Sequence, residues 1–220
     1  MSKQSMIENY KTIVDEVFPD LDCFINPTLL TELYDQVETY LKSIRFSSEE
    51  KFKEHLLGLK DFFDHIGYSY EDAVEVVISW PSIIHTDKNE LFYKYLILGK
   101  VVNKDTLECD RDNILKNHPK DFITSPQVVY ARVKWLLSIG GDAMRNNIIT
   151  RRKILKVTHA EFEKSYGISK EELESLYPFE ATTCIPEILN WTENKELLKR
   201  IQGKGIANDW FIKIRKRIIW

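Results

Sequence analysis

The chain has 220 residues, of which 43% are hydrophobic and 30% charged, a composition typical of a folded globular protein with its own core. No apolar run approaches the roughly 20 residues that a membrane-spanning helix needs, and the first residues lack the apolar segment of a secretion signal, so we expect a cytoplasmic protein without a membrane partner. The cysteines are far apart and the five histidines scattered, which predicts neither disulfides, nor a metal site, nor a cofactor.

The formal net charge of -3 hides an asymmetry between the two halves of the chain. Residues 1–99 contain 9 Lys and Arg against 18 Asp and Glu, whereas residues 100–220 contain 22 against 16. We therefore expect a polyanion, if one binds, to meet the second half.

The first half of the chain is predicted to consist of helices. Helix-capping residues begin three apolar-periodic runs, at Asn26-Pro27, at Ser47 or Ser48, and at Ser69. The second run ends at Gly67 and the third at Pro81. The β-branched stretch 74–78 also fits a strand, but its capping serine and the helical pattern on both sides favour a helix.

The second half continues in the same way. Helices are predicted from Thr86 to Gly99, from Thr106 to Lys116, from Ser125-Pro126 to Gly140-Gly141, and from Asp142 through Ile149. Capping boxes at Thr158–Glu161 and Ser169–Glu172 begin two more, the first of which ends at Gly167. Residues 179–186 are predicted to form a linker or an irregular turn, and Thr192 to cap a helix through Ile201. No series of alternating strands appears, so we expect an all-α protein.

One phrase recurs along the middle of the chain. Helix-like runs end at glycine, a second run follows, and an aromatic or histidine residue before proline closes it; the glycines are Gly67, Gly99, Gly140 and Gly167, and the closing steps are Trp80-Pro81, His118-Pro119 and Tyr177-Pro178. A period of a few tens of residues is typical of stacked helical repeats, which present extended surfaces to large partners.

These residues resemble the repeat of the mitochondrial transcription termination factor (mTERF) family. The matching pieces are Gly67-Tyr68-Ser69, Pro81-Ser82-Ile83-Ile84 and Leu96-Ile97-Leu98-Gly99, then Ile114-Leu115, Pro119, Phe122-Ile123 and residues 133–140, with a weaker third copy in residues 148–167. The resemblance implies a curved α-solenoid whose basic concave face holds nucleic acid. With it, the chain divides into an N-terminal helical cap (1–55), a short α-solenoid of mTERF-like repeats (56–180) and a basic C-terminal appendage (181–220).

Basic residues cluster at two places in the second half. The predicted nucleic-acid-binding residues are Arg132, Lys134, Arg145, Arg151, Arg152, Lys153 and Lys156 in the first cluster and Lys204, Lys213, Arg215, Lys216 and Arg217 in the second. Arg and Lys at this density are able to neutralise a run of phosphates. A solvated helix face explains the first cluster equally well, and the tail also suits an acidic protein or an anionic surface.

Other candidate chemistry has a simpler structural interpretation. Trp80, Tyr130, Trp135 and Tyr166 are able to stack on bases, but their place in apolar stripes favours the core. The paired carboxylates lie in first helical turns, where negative charge stabilises the helix, and no nucleophile signature is present.

We therefore expect a non-catalytic protein that binds nucleic acid or a ribonucleoprotein through phosphates, using its basic second half. The alternative is a helical adaptor or inhibitor that binds a protein partner, for example a nucleic-acid enzyme, through its acidic N-terminal half. An enzyme whose site is assembled from distant residues is a third class.

Overall fold

A computed structural model describes residues 3–19, 21, 27–43, 48–98, 115–117, 122, 124–150, 157–189 and 194, without the side chains of residues 3–6, 37, 40–43, 141–150 and 189. Every regular element in these ranges is helical, which confirms the all-α prediction for them. The β-branched stretch 74–78 lies in a helix. None of the described helices combines the length and apolar character needed to cross a membrane.

The helices follow one another in chain order along the described ranges. They are α1 (Lys3–Val17), α2 (Pro27–Ser43), α3 (Glu49–Ile66), α4 (Tyr70–Ser79), a 3₁₀ helix (Pro81–His85), α5 (Lys88–Leu98), α6 (Pro126–Thr150), α7 (His159–Tyr166), α8 (Lys170–Leu176) and α9 (Ala181–Leu189).

The chain forms two compact units, Met1–Leu91 and Phe92–Trp220. The segment boundary predicted after residue 55 falls inside α3. Within the first unit, α1 packs along α3 and shares its core.

Aromatic and aliphatic side chains build the core of the first unit. The rings of Tyr10 on α1 and Phe52 on α3 lie 4.8 Å apart, and Phe18 and Leu33 are fully buried. At the edge of this core a hydrogen bond joins α2 to α1: Tyr34 Oη donates to Asp15 Oδ1 over 2.6 Å. Burial of such side chains supplies about 1.5–3 kcal/mol each, which explains why short helices hold together here.

In the second unit, α6 and α8 pack against each other. The Gln127 side chain of α6 accepts a bond from Phe179 N (2.7 Å) and donates one to Tyr177 O (3.5 Å). The rings of Tyr130 and Phe179 lie 5.4 Å apart. Farther along, the buried Asn194 amide donates to the carbonyls of Leu96 and Ile188. The two Gln127 bonds hold the Tyr177-Pro178 step against α6.

The same backbone turn occurs twice, once in each unit. Gly67 and Gly167 both adopt left-handed conformations, with φ of +88° and +68°, which L side chains avoid. Two residues later, Ser69 and Ser169 cap the next helix with nearly equal angles (φ -70° in both, ψ 166° and 163°). These helices end at aromatic residues of similar conformation, Trp80 (φ -138°, ψ 70°) and Tyr177 (φ -131°, ψ 65°), each followed by proline. The recurring phrase of the sequence is thus a recurring structure at these two places.

Three predicted helix boundaries are wrong. Gly140-Gly141 does not end a helix, since α6 runs unbroken from Pro126 to Thr150; a glycine inside a helix costs only about 1 kcal/mol. The expected linker at 179–186 contains most of α9, which tolerates Pro186 while burying Cys184, Ile185 and Ile188. The cap of α5 is Asp87, whose Oδ1 accepts from Asn89 N and Glu90 N, and not Thr86.

Candidate nucleic-acid interface

The predicted phosphate-binding residues divide into two described side chains and ten that lie outside the described part of the structure. Arg132 and Lys134, both on α6, are described. The side chain of Arg145 is not, although its backbone lies in α6. Also outside the described residues are Arg151, Arg152, Lys153, Lys156, Lys204, Lys213, Arg215, Lys216 and Arg217.

Arg132 lies in the interior, with 1% of its surface exposed. Its Nη2 donates to Val157 O over 2.8 Å, and its guanidinium carbon lies 4.8 Å from the centroid of the Phe162 ring. Burial lowers its pKa, because a low-dielectric surrounding disfavours the cation. In this position Arg132 fixes the chain where it enters α7 and does not face solvent, where a phosphate would meet it.

Lys134 is partly exposed and paired within the unit. Its Nζ lies 2.9 Å from Glu187 Oε1 of α9 and 5.9 Å from the centroid of the Tyr130 ring. Tyr130 Oη donates to the other oxygen of the same carboxylate over 3.3 Å. Because Glu187 offsets the lysine charge, Lys134 adds little to a positive surface.

Tyr130 stays protonated throughout the physiological range. Burial raises its pKa, and the neighbouring Cys184 and Glu187 raise it further. Its hydroxyl therefore remains a hydrogen-bond donor to Glu187. The sequence analysis did not identify Glu187, because it lies 53 residues from Lys134, directly after a predicted linker, and no local pattern links the two positions.

The described surface of the second unit beyond α6 is more acidic than basic. On α7 and α8 the exposed carboxylates are Glu161, Glu163, Glu171 and Glu172, beside exposed Lys164 and Lys170. Positive charge in this unit must therefore come mainly from residues outside the described ranges.

The first unit presents exposed carboxylates on α1, α2, α3 and α4. Exposed acidic residues are Glu8, Asp15, Glu16, Glu32, Asp35, Glu50, Glu54, Asp61, Asp64, Glu71 and Glu75. Three of its lysines form ion pairs with carboxylates of the same unit: Lys11 with Glu8, Lys53 with Glu16, and Lys88 with Asp61. These pairs reduce the positive charge that the unit offers to an external partner.

Among the aromatic residues considered for base stacking, Trp80 and Tyr130 are buried, at 3% and 4% exposure, as core packing predicts. Trp135 and Tyr166 are half-buried. Within the described residues, no three His, Cys, Asp or Glu side chains are grouped closely enough to hold a metal ion.

Comparisons of the chain with protein-family models, with curated proteins and with solved structures found no match.

Proposed function

We propose that this protein is a non-catalytic binder of nucleic acid or ribonucleoprotein that contacts phosphates through its second unit. The observation that carries the proposal is that the division into units coincides with the change in charge. The unit Met1–Leu91 contains 8 Lys and Arg against 18 Asp and Glu, and the unit Phe92–Trp220 contains 23 against 16. The excess positive charge therefore belongs to one compact unit, the one that we propose meets the polyanion.

The repeated turn supports the kind of architecture that this function uses. The Gly67 and Gly167 turns, with their serine caps and aromatic-proline ends, recur with nearly equal backbone angles. Duplicated helical hairpins are the building blocks of solenoids, whose surfaces hold extended partners. An mTERF-like solenoid is our interpretation of this recurrence.

The proposed contacts are the predicted basic residues other than Arg132, whose interior position gives it a packing role. Lys134 is a minor contributor, because Glu187 lies 2.9 Å away. The main contributors are then Arg151, Arg152 and Lys153, with the basic residues 204–217. Binding through them depends on phosphate charge and so weakens as salt rises.

Salt-dependent binding to a labelled short duplex and a labelled RNA hairpin tests the proposal. Each phosphate contact contributes about 0.9 to the slope of log affinity against log salt on duplex DNA. The triple variant Arg151→Gln, Arg152→Gln, Lys153→Gln is expected to bind more weakly, with a slope smaller by as much as roughly 2.7. The matched control removes the same charge from the first unit, by Lys11→Gln, Lys51→Gln and Lys53→Gln, and is expected to keep the wild-type slope.

Absence of binding at low salt, or equal losses in the two triple variants, would contradict the proposal. In the first case the protein does not bind polyanions; in the second, only total charge matters, and the second unit has no special part in binding.

The exposed carboxylates of the first unit favour a second candidate, a helical adaptor that binds a basic protein partner. Its distinguishing result is capture of one partner by the wild-type chain that is lost when Glu50, Glu54 and Asp64 become glutamine or asparagine and is kept in the Arg151–Lys153 triple variant. The nucleic-acid proposal expects the opposite dependence.

A further inference from the structure

The 3₁₀ helix Pro81–His85 lies among three helices of the first unit, α2, α3 and α4. Its middle residues Ile83 and Ile84 are fully buried. Backbone bonds also close its two ends, from Ile83 N to Trp80 O and from Thr86 N to Ile83 O, each 2.9 Å long. A short 3₁₀ helix has poorer hydrogen-bond geometry than an α-helix, so it depends on its neighbours to stay in place.

Two histidines tie this segment to the helices beside it. His55 reaches from α3 and places Nε2 at 2.7 Å from Ile84 O. His85, at the end of the 3₁₀ helix, hydrogen-bonds to the backbone of Gln36 in α2. Because a carbonyl oxygen only accepts, the His55 ring carries its proton on Nε2 in the neutral state. We call these two side chains with their carbonyl partners the histidine latch.

Both rings are half-buried and close enough to act on each other. Burial opposes a positive charge on either ring and outweighs the backbone hydrogen bonds to Ile84 and Gln36, which favour it; His55 also opposes a charge on His85. On His55, Asp87 favours the cation and Lys88 opposes it, with Asp61 at 4.0 Å from Lys88 Nζ offsetting part of that charge. The helices packed on the other sides carry Glu32, Asp35 and Glu38 (α2) and Glu71, Asp72 and Glu75 (α4).

We propose that the histidine latch makes the first unit acid-sensitive, so that protonation of His55 and His85 releases the 3₁₀ helix from α2 and α3. The proposal depends on how the 3₁₀ helix is held in place. His55 on α3 bonds to the 3₁₀ helix, and His85 on the 3₁₀ helix bonds to α2. Two imidazolium cations would repel each other in the closed state and would be only partly hydrated there. Opening of the segment restores their hydration. The inference is independent of the proposed function.

The direction of the pH response follows from the pKa values. Burial holds the pKa of both histidines below the ordinary value near 6.5. The closed state therefore binds fewer protons than the open one between each depressed pKa and about 6.5. Closure is complete above that range and is lost as pH falls through it, by up to about tenfold per pH unit for each histidine that gains a proton on opening.

Hydrogen exchange of the Ile83 and Thr86 amides measures the opening directly. In the wild-type chain, protection factors of these two amides, corrected for intrinsic exchange, are expected to fall as pH drops from neutral to about 5, with a slope of up to about two decades per pH unit. The double variant His55→Gln, His85→Gln keeps amide donors but does not titrate, and its protection is expected to be flat with pH.

His65→Gln is the matched control, because His65 lies on the same helix as His55 and its Nδ1 bonds to Asp61 O within that helix. This variant is expected to respond to acid like the wild type. Should the double variant not fold, each single variant is expected to lose part of the slope. A flat wild-type response, an unchanged slope in both single variants, or loss of the slope in His65→Gln would overturn the proposal.

Discussion

The guanidinium of Arg132 stacks on the ring of Phe162, with 4.8 Å between the guanidinium carbon and the ring centroid. Both side chains are buried, at 1% exposure each. The contact joins α6 to α7 and places a charge in the interior at a position where the sequence suggested a phosphate contact. The structure thus separates one arginine from the basic cluster that surrounds it in the sequence.

Arg132→Ala is expected to destabilise the second unit by about 2–4 kcal/mol, since it leaves a cavity and removes the donor to the half-buried Val157 carbonyl. Lys134→Ala, two residues along the same helix, removes a partly exposed ion pair and is expected to cost no more than about 1 kcal/mol. Chemical denaturation of both variants measures the difference. If Arg132 instead serves a bound phosphate, Arg132→Ala would leave stability near that of Lys134→Ala and reduce the salt slope of nucleic-acid binding.

Gly167→Ala is expected to destabilise the chain by about 1–2 kcal/mol. A Cβ at this position meets nothing within 4 Å, so the cost comes from the left-handed backbone alone. Gly167→Asn is expected to cost less, because asparagine tolerates this conformation. Gly140→Ala, inside α6, is expected to stabilise the chain by up to about 1 kcal/mol. Thermal and denaturant unfolding check the order of the three variants, and a loss in Gly140→Ala equal to that in Gly167→Ala would contradict it.

Thr158→Ala is expected to cost about 1 kcal/mol, because Thr158 Oγ1 accepts from Glu161 N over 3.2 Å at the start of α7. Thr158→Ser keeps the hydroxyl and is expected to retain most of the stability. Unfolding free energies of the two variants give the comparison. Equal losses in both would assign the effect to the threonine methyl group and not to the cap.

Glu161→Gln tests the other half of the same capping box by its pH dependence. Hydrogen bonds from the Thr158 backbone N–H (2.8 Å) and hydroxyl (2.9 Å) hold the pKa of Glu161 below its ordinary value. The ionised carboxylate therefore stabilises the fold above the unfolded-state pKa, and this contribution is lost as pH falls through the folded-state pKa. The stability difference between wild type and Glu161→Gln is expected to shrink in acid, and a constant difference would contradict the assignment.

The features that the sequence predicted correctly depend on residues close together in the chain. Ser48, Ser69, Thr158 and Ser169 each accept a bond from the amide three residues on, and Gly67 and Gly167 end helices. Capping is a local event, so a few adjacent residues are enough to specify it.

The errors arose where distant contacts decide the outcome. Gly140 resembles a helix end in sequence, but the flanking residues keep α6 helical through it. Pro186 suggested a linker, yet burial of Ile185 and Ile188 stabilises α9 around it. The partners of Arg132 and Lys134 lie 25 and 53 residues away, and no periodicity in one chain indicates such pairs. For this reason a basic cluster in the sequence did not correspond to a basic surface at these two positions.

Gly58 and Lys88 provide the last test, because the lysine stem occupies the space that a side chain at residue 58 would need. Gly58 is a buried residue inside α3, and a Cβ built there lies 2.8 Å from Lys88 Cδ. Lys88 is a flexible side chain whose ion pair with Asp61 spans 4.0 Å, so moving it aside costs little. Gly58→Ala stabilises the helix by about 1 kcal/mol through helix propensity, and the cost of displacing the Lys88 side chain offsets part of that gain.

We therefore expect Gly58→Ala to be near neutral or slightly stabilising in the wild-type chain and to stabilise by about 1 kcal/mol in a Lys88→Ala background. A double-mutant cycle of unfolding free energies measures the difference between the two backgrounds, which reports the steric contact. Equal effects in both backgrounds would show that Lys88 does not restrict residue 58, and a large loss in both would place a rigid neighbour there instead of the lysine stem.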